Sequence, residues 1–179
     1  MESLIKASKN QKFPALIAVV ITDNKHAPGI KLAKHYNIPI AIFDKKKFNK
    51  SQFEINSQKV LLNYKIEIIC LAGFMQILSE KFISEWQNKI MNIHPSYLPK
   101  NKGLNPQKQV IDENASFTGC TVHFVNEKVD SGKIILQEKV KIMQNDNVQS
   151  LSNRILQREH EIYPKALNQI ASNMIRLKN

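Results

Sequence analysis

What most limits the folds open to this chain is its alternation of short apolar runs with amphipathic stretches. From Ala15 onward "ALIAVVITD" is followed by "GIKLAKHYN", "IPIAIF", "SQFEINSQKVLLNYK", "IEIICLAG", "SEKFISEWQNK" and "IMNIHP". Short apolar runs rich in β-branched residues suit strands buried on both faces, and the stretches between them suit helices. Strand and helix in strict alternation imply right-handed crossovers and a parallel sheet with helices on both faces. The fold class is therefore α/β, with a mostly parallel sheet.

The pattern changes further along. A short helix is predicted around "NPQKQVIDEN", followed by strands in "TGCTVHFVN" and "KIILQEKVKI". The link between those strands, "EKVDSG", is too short for a crossover and suits an antiparallel hairpin, so the sheet should be mixed near its end. Over residues 148–175 the apolar positions Val148, Leu151, Ile155, Ile162, Ala166, Leu167, Ile170 and Met174 fall close to helical spacing and predict one long packing helix. Pro164 lies within it and is expected to kink or interrupt it. No repeat or linker divides the chain, so residues 1–179 are expected to form a single domain.

Charge and cysteine usage narrow the classes of partner. The chain carries a formal charge of +11, which could point to an anionic partner such as nucleic acid. The basic residues are scattered, however, and the densest run, "DKKKFNK", holds a single aromatic; the reading is of no nucleic-acid partner. No apolar run reaches membrane-spanning length, and "MESLIKASKN" lacks the apolar core of a secretory signal. The expectation is a cytoplasmic protein with no membrane partner. Cys70 and Cys120 sit in strand-like runs without any CxxC or Cys/His cluster, so buried free thiols are expected, with neither disulfide nor zinc site.

The chemistry concentrates in "IMNIHPSYLPKNKGL". Residues i and i+2 of a strand point to the same side, so Asn92 and His94 converge on one spot. An isolated Asn-x-His could simply satisfy the end of a strand. Here a buried strand precedes the pair, a proline-stiffened loop follows it, and the loop "NEKVDSG" brings an acid, Asp130. In parallel sheets ligands bind beyond the carboxyl ends of strands. The loops after Leu71, Asn92 and Phe124 are accordingly expected to line one cleft.

Asn92 can donate to a carbonyl, His94 can take or give a proton near neutral pH, and Asp130 can hold the imidazole. That set suits acyl transfer through a tetrahedral oxyanion. No activated nucleophile accompanies it, since Ser96 follows a proline without a nucleophile elbow and the cysteines lack a base. The attacking group is then an amine of the substrate. His123 either faces the site or is a hydrogen-bonded strand histidine, whereas Phe82 and Trp86 read as core and His26 and His35 as solvated surface.

The segments "LAGFMQILS", "MNIHPSYLP", "GCTVHFVNEKVDSGKIILQEKV" and "REHEIYP" resemble the folate-dependent formyltransferases, and within them the phosphoribosylglycinamide branch. The resemblance runs over about residues 2–172. It implies a Rossmann-like sheet and transfer of a formyl group from 10-formyltetrahydrofolate to the amine of 5-phosphoribosylglycinamide in purine synthesis, with small-molecule substrates and no metal. By the same resemblance His94 is the general acid/base, Asn92 polarises the carbonyl and Asp130 raises the pKa of the histidine. Met75, Gln76, Ile77 and Leu78 match the family's first folate-contacting loop. Asn126, Glu127, Lys128, Val129 and Asp130 match the second, Asn92 also touches the folate, and Lys50 stands where the family often reaches it with an arginine. Leu156, Gln157, Arg158 and Glu159 match the segment that approaches the second substrate.

Rival functions within the resemblance are a formyltetrahydrofolate hydrolase and an initiator methionyl-tRNA formyltransferase, which usually carry an additional domain. A non-catalytic folate-binding remnant is the rival from another class. The family opens with a strand and a glycine-rich turn containing Gly-Ser-Asn, whereas here Met1 stands at the start of a helix-like "ESLIKASKN", and "NKHAPGIKLAKHYN" offers no substitute phosphate cradle. The resemblance thus implies an amino-terminally truncated domain that lacks its first, central strand, with open edges on that strand's two neighbours and poor or absent activity towards phosphoribosylglycinamide.

Overall fold

The computed structural model describes residues 1–178, which fall into two compact units, Met1–Glu67 and Ile68 onward. In the first, helix α1 (Glu2–Ser8) is followed by strand β1 (Val20–Thr22), α2 (Pro28–His35), β2 (Ile40–Ile42) and α3 (Lys50–Asn63). β1 and β2 pair in parallel, Val20 opposite Ile40 and Thr22 opposite Ile42, with α2 as the crossover. The core of this unit gathers Ile5 of α1, Ala33 of α2 and Ile38 around the side chains of Val20 and Ile40. Asn49 starts α3 with a capping box: its side chain accepts from the Gln52 amide while the Gln52 side chain accepts from the Asn49 amide.

The second unit contains β3 (Ile69–Leu71), α4 (Glu80–Glu85), β4 (Ile90–His94), α5 (Pro106–Asp112), β5 (Phe117–Phe124), β6 (Ile134–Lys141) and α6 (Val148–Lys178). Its sheet has the order β3-β4-β5-β6, parallel between β3 and β4 and antiparallel thereafter. The mixed end expected from the short "EKVDSG" link is therefore present. α6 packs on β5 and β6, and its inward side chains Leu151, Ile155, Ile162, Ala166 and Leu167 are buried with Met91 and Val122 of the sheet. The Tyr163 hydroxyl lies 2.8 Å from the Leu71 carbonyl and 3.0 Å from that of Met91, tying α6 to β3 and β4.

The parallel strands lie in two sheets, of two and four strands, because among the described residues no pairing joins β1 or β2 to β3–β6. β1 and β3 are each the edge of a sheet. One expectation needs correction: Pro164 does not interrupt α6, and the helix is continuous from Val148 to Lys178. Proline removes one backbone donor, and burial of Ile162, Tyr163, Ala166 and Leu167 on either side of it holds the turn in place. Phe82 and Trp86 are core, as read, and His26 and His35 are exposed.

Candidate active site

β4 runs buried through Ile90 and Met91 and then presents Asn92 and His94 on one side. Across the antiparallel pairing Asn92 stands opposite His123 and His94 opposite Thr121, so β5 supplies the second wall. The Asn92 side-chain nitrogen is 3.4 Å from Nε2 of His123, whose Nδ1 is 2.9 Å from the Phe124 carbonyl. A carbonyl only accepts, so the Nδ1–H of His123 donates to it, and Nε2, facing both the Asn92 amide and Asp130, accepts from Asn92 when bare and donates to the carboxylate when protonated. One amide proton of Asn92 remains for a substrate carbonyl.

The ring of His94 is oriented by similar reasoning. Its Nε2 lies 2.9 Å from the Asn101 carbonyl and must donate to it. The nitrogen that exchanges a proton is then Nδ1, which lies 3.3 Å from Oδ2 of Asp130. Asp130 also receives the Gly103 amide at 2.9 Å, and its other oxygen is 3.6 Å from Nε2 of His123. Burial by itself would push the Asp130 carboxyl up; the edge of His123, the Gly103 amide and the charges that His94 and His123 can carry outweigh it and hold the carboxyl below its usual range. The site thus has an ionised acid, a buried imidazole whose Nδ1 faces that acid, and an amide donor linked to them through His123.

The route by which Asp130 arrives differs from the expectation. β5 is antiparallel, so its carboxyl end, Phe124, lies opposite Met91 rather than beside His94. The segment after Phe124 folds back across the sheet, closed where the Phe124 amide donates to the Lys133 carbonyl. Gly132 permits this return, because a β-carbon there would overlap the Phe124 carbonyl oxygen. Asp130 itself adopts a left-handed φ of 47°. Opposite this point the β5–β6 register slips between Val122 and His123, an irregularity that re-aims side chains beside the site.

The proline loop is held from below. Thr121 donates to the Ser96 carbonyl at 2.7 Å and accepts from the Leu98 amide at 3.1 Å, while Gln137 donates to Thr121 at 2.9 Å and to the Leu98 carbonyl at 2.8 Å. Ser96 is buried and donates to the Lys100 carbonyl at 2.8 Å, a structural role consistent with the absence of a nucleophile elbow. Leu98–Pro99 is a cis peptide bond.

Of the other residues named from the sequence, Met75 and Ile77 are 76% and 65% exposed on the loop after β3, and Leu78 is buried. Asn126, Glu127, Lys128 and Val129 are exposed on the returning loop, with the Asn126 side chain accepting from the Lys128 amide. On α6, Leu156, Gln157 and Arg158 are exposed, and Arg158 pairs with Glu161 at 3.0 Å. Burial pushes the neighbouring Glu159 carboxyl up to about 7. Lys50 is the exposed first residue of α3, in the other unit. Cys70 and Cys120 are free, and burial raises both thiols to about 12, which rules them out as thiolates near neutral pH. Among the described residues no cluster of His, Cys, Asp and Glu could hold a metal ion, and no helix is long and apolar enough to cross a membrane.

Sequence reasoning left Asn101, Gly103 and Thr121 unread. Asn101 and Gly103 act through the backbone, which leaves no mark on residue type apart from glycine itself. Thr121 alternates with Gly119 and His123 in "GCTVHF", a polar set on an otherwise apolar strand, and that was the available signal.

Comparison with known proteins is consistent with this geometry. The model of the formyl transferase family matches residues 1–167. Phosphoribosylglycinamide formyltransferase of Haemophilus influenzae is 38% identical over 180 residues, covering 100% of this chain and 85% of that protein. The trifunctional purine biosynthetic protein adenosine-3 of Bos taurus is 42% identical over 178 residues, covering 99% of this chain and 18% of that protein; the chain spans less than a fifth of such relatives. The crystal structure of phosphoribosylglycinamide formyltransferase from Brucella melitensis superposes with a TM-score of 0.91 at 39% identity, covering 96% of this chain and 88% of that one.

Proposed function

Given that this chain belongs to the formyl transferase family, we propose that it moves a formyl group from 10-formyltetrahydrofolate to the amine of 5-phosphoribosylglycinamide, a step of purine biosynthesis. The observation that carries the reading is the contact chain Asn92, His123, Asp130, His94 beside the end of β4. Relatives whose names state this reaction match nearly the full chain. A cytoplasmic setting, small-molecule substrates and the absence of a nucleic-acid or metal partner belong to the same reading.

The amine attacks the formyl carbon, and a C–N bond forms as the carbonyl oxygen takes up negative charge. The free amide proton of Asn92 and the Nδ1–H of a protonated His94 stabilise that oxygen, and Asp130 stabilises the imidazolium. Collapse returns the carbonyl, breaks the bond to the folate nitrogen and leaves the formyl group on the amine. The proton lost by the amine ends on that folate nitrogen, passing through Nδ1 of His94. In the proposed arrangement Met75–Leu78 and Asn126–Asp130 border the folate, and Leu156–Glu159 approach the phosphoribosyl substrate.

The test is formyl transfer to the phosphoribosyl amine, with the formylated product and any free formate quantified separately. His94→Ala and Asn92→Ala should each lower kcat by ~10²–10³, the usual effect of losing a donor to a developing oxyanion. Parent rates in His94→Ala would refute the mechanism. Formate release without formylated amine would instead favour a hydrolase, and folate binding with neither product would favour a non-catalytic binding protein.

A further inference from the structure

We propose that Gln109 on α5 is a positioning residue of the active site, acting through the loop that follows the cis proline. The inference rests on the functional reading above only for its kinetic arm. Segment 101–105 contributes two contacts to the catalytic pair without using a single side chain. The Asn101 carbonyl accepts from His94 Nε2, and the Gly103 amide donates to Asp130. Such contacts orient only if the backbone that makes them is itself held.

The segment is not regular structure. Asn101, Gly103 and Asn105 have φ values of 53°, 76° and 54°, left-handed conformations that leave most of the loop's polar groups without helix or sheet partners. Gln109 fills that gap with both ends of its side chain. Its Nε2 donates to the Leu104 carbonyl at 2.9 Å and reaches the Lys102 carbonyl at 3.5 Å, while its Oε1 accepts from the Asn101 side chain at 3.4 Å. The Asn101 amide also donates to Glu113, one turn further along, at 3.1 Å. The loop is thereby clasped from α5 on both sides of the residues that touch His94 and Asp130. On the far side Lys102 donates to Ser131 at 2.6 Å, joining it to the loop that carries Asp130.

Removing the clasp should therefore loosen the Asn101 carbonyl and the Gly103 amide together. His94 then loses the acceptor that selects its tautomer, and Asp130 loses a donor that opposes its burial. The groups facing Asp130 are His94 from β4, His123 from β5 and the Gly103 amide, so weakening the last moves the acid limb of the pH–rate profile to higher pH.

The experiment uses the full chain as parent, Gln109→Met, Gln109→Glu and, as a control one residue away, Lys108→Met. Methionine keeps the length and helix propensity of glutamine but cannot hydrogen-bond the loop. Glutamate keeps an acceptor for Asn101 and offers the Leu104 carbonyl no donor. Amide hydrogen exchange of Gly103 should accelerate about tenfold in both Gln109 variants, the factor one ordinary hydrogen bond supplies. In formyl transfer kcat should fall about 10- to 100-fold with KM within about twofold and the acid limb shifted to higher pH, while Lys108→Met stays at parent values. Unchanged Gly103 exchange and kcat in Gln109→Met would overturn the proposal. So would a loss of kcat that merely follows a loss of thermal stability with Gly103 exchange unchanged. If the parent transfers no formyl group but Gly103 exchange still responds, the positioning role stands and the functional reading falls.

Discussion

Thr118 and Thr121 lie on the same strand, three residues apart, both fully buried, and the same isosteric change to valine should move stability in opposite directions. Thr121 makes three hydrogen bonds, and in Thr121→Val the Ser96 carbonyl and the Leu98 amide lose their partner while Gln137 keeps the Leu98 carbonyl. Two buried backbone groups left unpaired cost ~1–3 kcal/mol each, so a loss of about 3 kcal/mol is expected. The Thr118 hydroxyl is buried without any hydrogen-bond partner. Replacing it with a methyl removes an unsatisfied group and should gain up to ~1 kcal/mol. With a urea m-value of about 2 kcal/mol/M, the unfolding midpoints of the two variants should differ by about 2 M. The single tryptophan, Trp86, is buried in the same compact unit, so its fluorescence reports the transition. Equal destabilisation of the two variants would refute the reasoning, since it would mean that bulk packing and not hydrogen bonding governs this strand.

Three further outcomes can be checked. Glu159 has its carboxyl raised from 4.5 to about 7 by burial, so the unfolded chain ionises first and stability falls as pH rises through that window; Glu159→Gln should abolish the slope, worth about 3 kcal/mol, between urea midpoints taken near about pH 5 and about pH 8. Asp130 has its carboxyl lowered from 3.8 and so contributes stability above that value which is lost as pH falls through its folded-state pKa. Asp130→Asn should flatten the acid side of the stability curve and slow formyl transfer by about 10²-fold. Gly132→Ala must displace the Phe124 carbonyl or the returning loop, which should cost roughly 1–3 kcal/mol in chemical unfolding and slow transfer at the same time, by moving Asp130 from His94.

What the sequence determined by itself is what depends on local period and residue chemistry. The α/β class followed from apolar runs alternating with amphipathic stretches, and α6 from helical spacing between Val148 and Met174. The shared side of Asn92 and His94 followed from the two-residue period of a strand, and the core role of Phe82 and Trp86 from their place in a helical pattern. Tertiary structure decided everything that rests on pairing between distant segments. Only the antiparallel register of β4 with β5 reveals that Asp130 must return across the sheet, and that Gly132 makes the return possible. Only the fold sets Asn101 and Gly103 against His94 and Asp130, because those contacts are made by backbone groups every residue carries. The division into two sheets and the passage of α6 through Pro164 are likewise tertiary outcomes. Strand pairing requires a hydrogen-bonded neighbour that no local period specifies, and the burial on either side of Pro164 offsets a missing donor that helix propensity alone would count against the helix.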